Sequence, residues 1–163
     1  MDIRLFVTGG TFDKEYDMIN GKLYFDDTHL HEIFDLARCT LPIHIRTLMM
    51  VDSLEMSDDD RLLIKENCKR CKEQHIIITH GTDTMIQTAK TIASANLDKT
   101  IVLTGALIPY KFGSSDAFFN LGCAVAFAHS LPPGVYITMN GRYFTPDNVV
   151  KNYGTGFFET LKN

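Results

Sequence analysis

Five short apolar runs, separated by segments with helical spacing, constrain the fold of this chain more than any other feature. They cover residues 3–8, 43–48, 76–79, 101–104 and 135–138. The third and fourth runs are apolar without alternation, which is typical of strands that are covered on both faces. Strands that alternate with helices form a parallel sheet wrapped by helices on both sides. The pattern therefore predicts an α/β fold, namely a three-layer, doubly wound, mostly parallel sheet of the Rossmann or flavodoxin-like kind.

Four intervening segments have the spacing of helices. The first covers residues 30–37 behind Asp27, which we expect to be its N-cap. The second follows Ser57, the third begins near Asp83, and the fourth covers residues 117–128. Because the fourth is apolar almost all round, it is either deeply buried or part of a subunit interface. We expect the chain to self-associate as a dimer or a higher oligomer.

Two Asn-Gly pairs lie between short apolar or aromatic runs, a pattern typical of hairpins with tight two-residue turns. They are Asn20-Gly21 and Asn140-Gly141. The first hairpin would form a flap from about Tyr16 to Phe25, directly after the first strand.

Size and charge narrow the classes of function. A chain of 163 residues fits a single domain, residues 1–163, and the net charge of −4 with no Lys/Arg cluster argues against a nucleic-acid partner. The N-terminus runs directly into the first predicted strand without the pattern of a leader, and no apolar run is long enough to span a membrane. We therefore expect a cytoplasmic protein with neither a nucleic-acid nor a membrane partner.

Cys68 and Cys71 have the spacing of a redox or zinc pair, but no second pair accompanies them. Together with Ile64 they recur at i, i+4 and i+7, so we expect their thiols on the buried stripe of the second helix. No metal site is predicted.

The residues that follow the first four predicted strands are rich in hydroxyl groups and glycine. These segments are Thr8-Gly9-Gly10-Thr11, Asp52-Ser53, His80-Gly81-Thr82-Asp83-Thr84 and Thr104-Gly105-Ala106. In open α/β sheets the ligand lies at the carboxyl ends of the strands. Hydroxyl groups, one carboxylate and the start of a helix together suit a small zwitterion such as an amino acid.

A threonine hydroxyl is a poor nucleophile unless a neighbouring group takes its proton. Lys151 and Tyr16 are candidates for that assistance by residue type. The glycines of Gly9-Gly10 fit neither G-x-G-x-x-G nor a P-loop, so a nucleotide site is disfavoured. We interpret His80 as a structural hydrogen-bonding residue rather than a general base.

Taken together, these segments closely resemble the motifs of the bacterial-type L-asparaginase family. The matching segments follow the family's order and cover nearly the whole chain: Thr8-Gly9-Gly10-Thr11, Asp52-Ser53-Leu54-Glu55-Met56, His80-Gly81-Thr82-Asp83-Thr84-Met85, Leu103-Thr104-Gly105-Ala106, Ser115-Asp116 with Asn120-Leu121, Asn140-Gly141-Arg142, and Lys151. The resemblance implies the fold of the family's N-terminal domain. It also implies an amidohydrolase that converts L-asparagine and water to L-aspartate and ammonia, without a cofactor or a metal.

The resemblance assigns roles to individual residues. Thr11 matches the nucleophile that forms the acyl-enzyme, and Tyr16 in the flap resembles the tyrosine that assists it. Thr82, Asp83 and Lys151 match a second triad that activates a nucleophile or water. The substrate-binding set that the resemblance implies is Gly10, Asp52, Ser53, Gly81, Thr82, Asp83 and Ala106.

Two departures from the family pattern bear on the substrate. The family's usual C-terminal domain, which supplies an acidic side chain to a neighbouring site, has no counterpart here, so we expect a short member that consists of the first domain. Leu54 occupies a position that is usually polar and helps to hold the substrate carboxylate. These departures favour two alternatives, namely an amidase for another small amide such as glutamine, and a weakly active or silent aspartate-binding sensor.

Overall fold

A computed structural model describes residues 1–161 and contains a central six-stranded sheet flanked by helices. The strands in chain order are β1 (Ile3–Gly9), β2 (Lys14–Asp17), β3 (Lys22–Phe25), β4 (Ile43–Val51), β5 (His75–Thr79), β6 (Thr100–Thr104), β7 (Gly134–Met139), β8 (Arg142–Phe144), β9 (Val150–Lys151) and β10 (Phe158–Glu159). The helices are α1 (Leu30–Leu36), α2 (Asp58–Arg70), α3 (Met85–Ala93) and α4 (Ala117–Ser130).

The strand order of the central sheet is β4-β1-β5-β6-β7-β8, and all pairs are parallel except the last. One core packs Phe6, Ile76 and Ile78 against α2 and α3. The other packs Leu5 and Ile77 against α1 and α4. The prediction of a three-layer, doubly wound sheet is therefore confirmed, including all five predicted strands. Because these strands are parallel, the segments that follow β1, β4, β5 and β6 meet at one edge.

The helix starts agree with the sequence only in part. Ser57 caps α2 through a complete capping box with Asp60, as the hydroxyl before the acidic turn predicts. The N-cap prediction for Asp27 is wrong, since α1 begins at Leu30. The two residues before the helix are instead held by the Asp13 carboxylate, which accepts hydrogen bonds from the Thr28 hydroxyl and the His29 N–H.

The third helix begins at Met85, two residues later than predicted. Residues 82–84 form a turn before it, so Thr82 and Asp83 precede the helix rather than open it.

The two Asn-Gly pairs behave differently. At the second, Asn140 and Gly141 both have positive φ (56° and 79°) between paired Met139 and Arg142, which is the predicted two-residue turn. At the first, β2 and β3 form the predicted hairpin, but four residues connect them, so the prediction of a two-residue turn is wrong.

The Asp17 side chain explains the longer connection at the first hairpin. Its carboxylate accepts hydrogen bonds from the backbone N–H groups of Ile19 and Asn20, and this local bonding competes with a tighter turn.

Burial accounts for Cys68 but only partly for Cys71 and for α4. Cys71 follows the last residue of α2 and is half-buried, so the prediction of both thiols on the buried stripe of the helix is wrong for Cys71. Cys68 is fully buried, and burial raises the pKa of its thiol to about 12, which suits a packing role. One face of α4 enters the core, whereas Phe118 and Phe119 are exposed. Among the helices of residues 1–161, none combines the length and apolarity needed to cross a membrane.

Candidate active site

Three strand-end segments meet around Gly81. Gly10 has a positive φ of 81°, and a Cβ there would lie 2.4 Å from the Gly81 nitrogen. A Cβ on Gly81 would lie 2.5 Å from the Ser53 Oγ. Glycine is therefore required at both positions for the loops to approach this closely. The contact brings Thr11, Ser53 and Thr82 to the same edge of the sheet.

Lys151 joins Thr82 and Asp83 although 69 and 68 residues separate them in sequence. Its Nζ lies 2.9 Å from the Thr82 Oγ1 and 2.6 Å from the Asp83 Oδ1. The Lys151 side chain is only 10% exposed, and its ammonium group also faces the Tyr153 ring, 5.0 Å from the centroid. The structure thus brings together the three residues of the predicted second triad.

A series of amide hydrogen bonds positions Lys151. β9 pairs with β10, and the Asn140 side chain accepts a hydrogen bond from the Phe158 N–H in β10. Asn120 on α4 accepts from the Asn140 N–H and donates to the Gly105 carbonyl. The short strand that carries Lys151 is therefore tied to the segment that follows β6.

Asp116 fixes the other end of that segment. Its carboxylate accepts hydrogen bonds from the N–H groups of Leu107 and Ile108, directly after Ala106. A Cβ added at Gly105 would lie 3.3 Å from the Thr82 Cγ2, so this loop lies against Thr82. Ala106 itself is buried next to this contact.

Thr11 and Tyr16 belong to the segment that leads from β1 into the flap. Thr11 is half-buried and begins a short 3-10 helix, Thr11–Asp13, that leads into β2. Tyr16 is on the predicted flap, 53% exposed, with its ring edge-on to Phe112 at 6.4 Å between centroids. The structure does not bring Tyr16 to Thr11 through any hydrogen bond described within residues 1–161.

Asp52 forms an ion pair with Lys14, a residue that the sequence analysis missed. The hydrogen bond from Lys14 lowers the pKa of the Asp52 carboxyl below its ordinary value. Lys14 is the first residue of β2, and no spacing rule connects it with a partner 38 residues later. A lysine three residues after the predicted nucleophile was the only available signal.

His80 has the structural role expected for it. Its ring is completely buried, with Nδ1 2.8 Å from the Gly81 carbonyl and Nε2 2.7 Å from the Thr88 hydroxyl. Burial lowers the pKa of His80 to about 4, which keeps the imidazole neutral near neutral pH. His80 therefore contacts the Gly81 segment from its buried side and does not face a substrate.

These features define a class of protein, namely a doubly wound α/β domain with a hydroxyl–lysine–carboxylate cluster at the carboxyl edge of its parallel strands. A family model described as the N-terminal domain of asparaginase matches residues 2–160. The chain therefore belongs to the asparaginase family.

Individual relatives agree with this assignment. L-asparaginase 1 of Escherichia coli strain K12 is 30% identical over 160 residues, covering 92% of this chain and 47% of that protein. A component of the glutamyl-tRNA(Gln) amidotransferase of Thermococcus kodakarensis is 31% identical over 151 residues, covering 86% of this chain and 33% of that protein. The solved structure of the thermostable L-asparaginase from the same organism superimposes with a TM-score of 0.88 at 26% identity, covering all of this chain and 52% of that one. The chain spans between about a third and about half of the length of these relatives.

Proposed function

We propose that this chain is an amidohydrolase that converts L-asparagine and water to L-aspartate and ammonia through a threonine nucleophile. The observation that carries the proposal is the contact of Lys151 with both Thr82 and Asp83. The Lys151 Nζ lies within hydrogen-bond distance of the Thr82 hydroxyl, so its neutral amine form could take a proton through that hydroxyl and return it. Membership of the asparaginase family supports the same reaction class.

In the proposed first step, the Thr11 Oγ attacks the side-chain amide carbon of asparagine. The hydroxyl proton passes to the leaving nitrogen, the C–N bond breaks, and ammonia departs from a Thr11 ester. In the second step, water adds to that ester, and Lys151 with Thr82 takes the proton of the water and returns it to the Thr11 oxygen as aspartate leaves. Tyr16 would assist Thr11 only after the flap has moved towards the site.

The remaining predicted residues would orient the substrate. Ser53 would hold the α-carboxylate and Asp83 the α-ammonium group, the latter with the carboxylate oxygen that does not contact Lys151. The backbone N–H groups near Thr82 and Ala106 would stabilise the oxyanion, a contribution of about 3 kcal/mol to the barrier. Gly10 and Gly81 would line the site with backbone only.

Ammonia release from L-asparagine tests the proposal. Thr11→Ala and Thr82→Ala should each lose activity by more than about 100-fold, because each removes a group that acts on the reacting atoms. Thr91→Ala is the matched control, since the Thr91 hydroxyl donates to the Gln87 carbonyl within α3. Full activity in either site variant, with a folded protein, would refute the assigned roles.

Leu54 favours a second candidate, an amidase for a different small amide. Its side chain is 73% exposed directly after Ser53, where it offers no hydrogen bond to a carboxylate. A panel of asparagine, glutamine and simple amides under one assay separates the two candidates. Tight calorimetric binding of aspartate without release of ammonia from any amide would support a sensor instead.

We also propose that the chain self-associates as a dimer or a higher oligomer. Phe118 and Phe119 expose aromatic surface on α4, which association would bury. Sedimentation of the wild-type chain and of a Phe118→Ser, Phe119→Ser double variant tests this. Identical monomeric sedimentation at micromolar concentration would contradict the proposal.

A further inference from the structure

Lys14 and Asp52 connect two turns that carry the predicted nucleophile and the predicted carboxylate ligand. Lys14 ends the turn that begins at Thr11, because its backbone N–H donates to the Thr11 carbonyl. Asp52 begins the turn around Ser53, because its Oδ1 accepts from the Leu54 N–H at 3.0 Å. The other oxygen of the Asp52 carboxylate binds the Lys14 ammonium group. The backbone already joins the two segments through the hydrogen bond from the Gly10 N–H to the Val51 carbonyl. The ion pair adds a side-chain link between the two turns, each of which is fixed by local hydrogen bonds.

The surroundings of Lys14 make this connection specific. Its side chain is only 16% exposed, although Tyr16 and most of β3 on the same hairpin are exposed. The ammonium group also faces the Phe25 ring on the paired strand, 5.6 Å from the centroid. Long lysine side chains on a surface hairpin ordinarily extend into water, so this burial indicates a fixed position.

Ser53 is fixed from its other side by different contacts. Its carbonyl accepts from the Thr84 hydroxyl at 2.7 Å, and its side chain lies against Gly81. The link between Ser53 and the Thr82 segment is therefore independent of Lys14. In contrast, the only ion pair described between the Thr11 turn and the Ser53 turn within residues 1–161 is that of Lys14 with Asp52.

We propose that Lys14 is a positioning residue, whose ion pair with Asp52 holds the Thr11 turn and the base of the flap against the Ser53 turn. This inference rests on the proposed function for its effect on turnover. A substrate held by its carboxylate at Ser53 presents its amide to Thr11 only when the two turns keep one spacing. Asp52 thus acts through Lys14 rather than as a direct ligand of the substrate.

The test compares Lys14→Met, Asp52→Asn and the double variant with the conservative variant Lys14→Arg. Each single variant should raise KM for L-asparagine about tenfold with kcat within about threefold, because the Thr82–Lys151 contact remains. The double variant should be no worse than either single variant, since both remove the same interaction. Lys14→Arg should restore most of the wild-type KM. Lys22→Met is the matched control, because Lys22 is an exposed lysine at the far end of the same hairpin.

Hydrogen exchange measured by mass spectrometry separates this inference from the proposed reaction. Amides of residues 14–17 should exchange about tenfold faster in Lys14→Met than in the wild type. In Lys22→Met their exchange rates should equal those of the wild type. If the wild type releases no ammonia, this measurement alone decides whether the ion pair holds the flap. If the wild type is active and Lys14→Met keeps both its KM and its exchange rates, the inference is overturned while the proposed function stands. Additive effects in the double variant would also overturn it.

Discussion

His80 allows a quantitative prediction about the stability of the edge that carries the site. The pKa of the buried imidazole is about 4, compared with an ordinary value of 6.5. Between these values the unfolded chain binds a proton that the folded chain does not. The neutral ring therefore stabilises the fold above the ordinary pKa, and this contribution is lost as the pH falls towards the folded-state pKa.

The size of the effect follows from the two pKa values. The stabilisation lost should be about 2 kcal/mol by pH 5 and about 3 kcal/mol by pH 4. The main physical cause is burial, and the positive charge of Arg61 lowers the pKa of His80 further.

The assay is urea unfolding followed by circular dichroism at several pH values, because the chain has no tryptophan. His80→Asn removes the titration and keeps a donor near the Gly81 carbonyl. The wild type should lose about 3 kcal/mol more than His80→Asn between neutral pH and about pH 4. Exposed His31→Asn, the control, should follow the wild type. Parallel curves for the wild type and His80→Asn would refute the reasoning.

Other predictions concern the lysine cluster, the glycine contacts and a buried acid. Lys151→Met should lower ammonia release by more than about 100-fold, because Thr82 loses the Lys151 Nζ that donates to its hydroxyl and would relay the proton, whereas exposed Lys90→Met should not. Gly10→Ala should lower the free energy of unfolding by about 2 kcal/mol or more, measured in urea, since φ is positive and a Cβ would clash with backbone. Burial raises the pKa of Asp13. The protonated carboxyl therefore stabilises the fold at low pH, and this stabilisation is lost as the pH rises through the folded-state pKa. The unfolding free energy of Asp13→Asn relative to the wild type should therefore increase with pH, and a pH-independent difference would contradict this.

The sequence predicted the sheet well because the strands are marked by local signals. Uniformly apolar runs such as residues 76–79 are buried on both faces, and the parallel order follows from the helices between them. The segments after the strands were recognisable for the same reason, since glycine and hydroxyl residues interrupt the apolar pattern there. The family resemblance added Lys151, which has no local signal of its own.

The parts that the sequence did not predict depend on side chains that are distant in the chain or that compete locally. The carboxylate of Asp17 lengthens the first hairpin connection, although the Asn-Gly signal there equals that at Asn140. β9 and β10 are two residues each, too short for any periodicity. The pairing of Lys14 with Asp52 depends on how the hairpin returns to the sheet, which no local pattern encodes.

A crystal structure of the chain with bound L-aspartate would test the central claim most directly. The proposed reaction predicts the side-chain carboxylate of the ligand between the hydroxyl groups of Thr11 and Thr82, and its α-carboxylate at Ser53. A ligand bound elsewhere, or hydroxyl groups too far apart to contact one carboxylate, would contradict the proposed amidohydrolase.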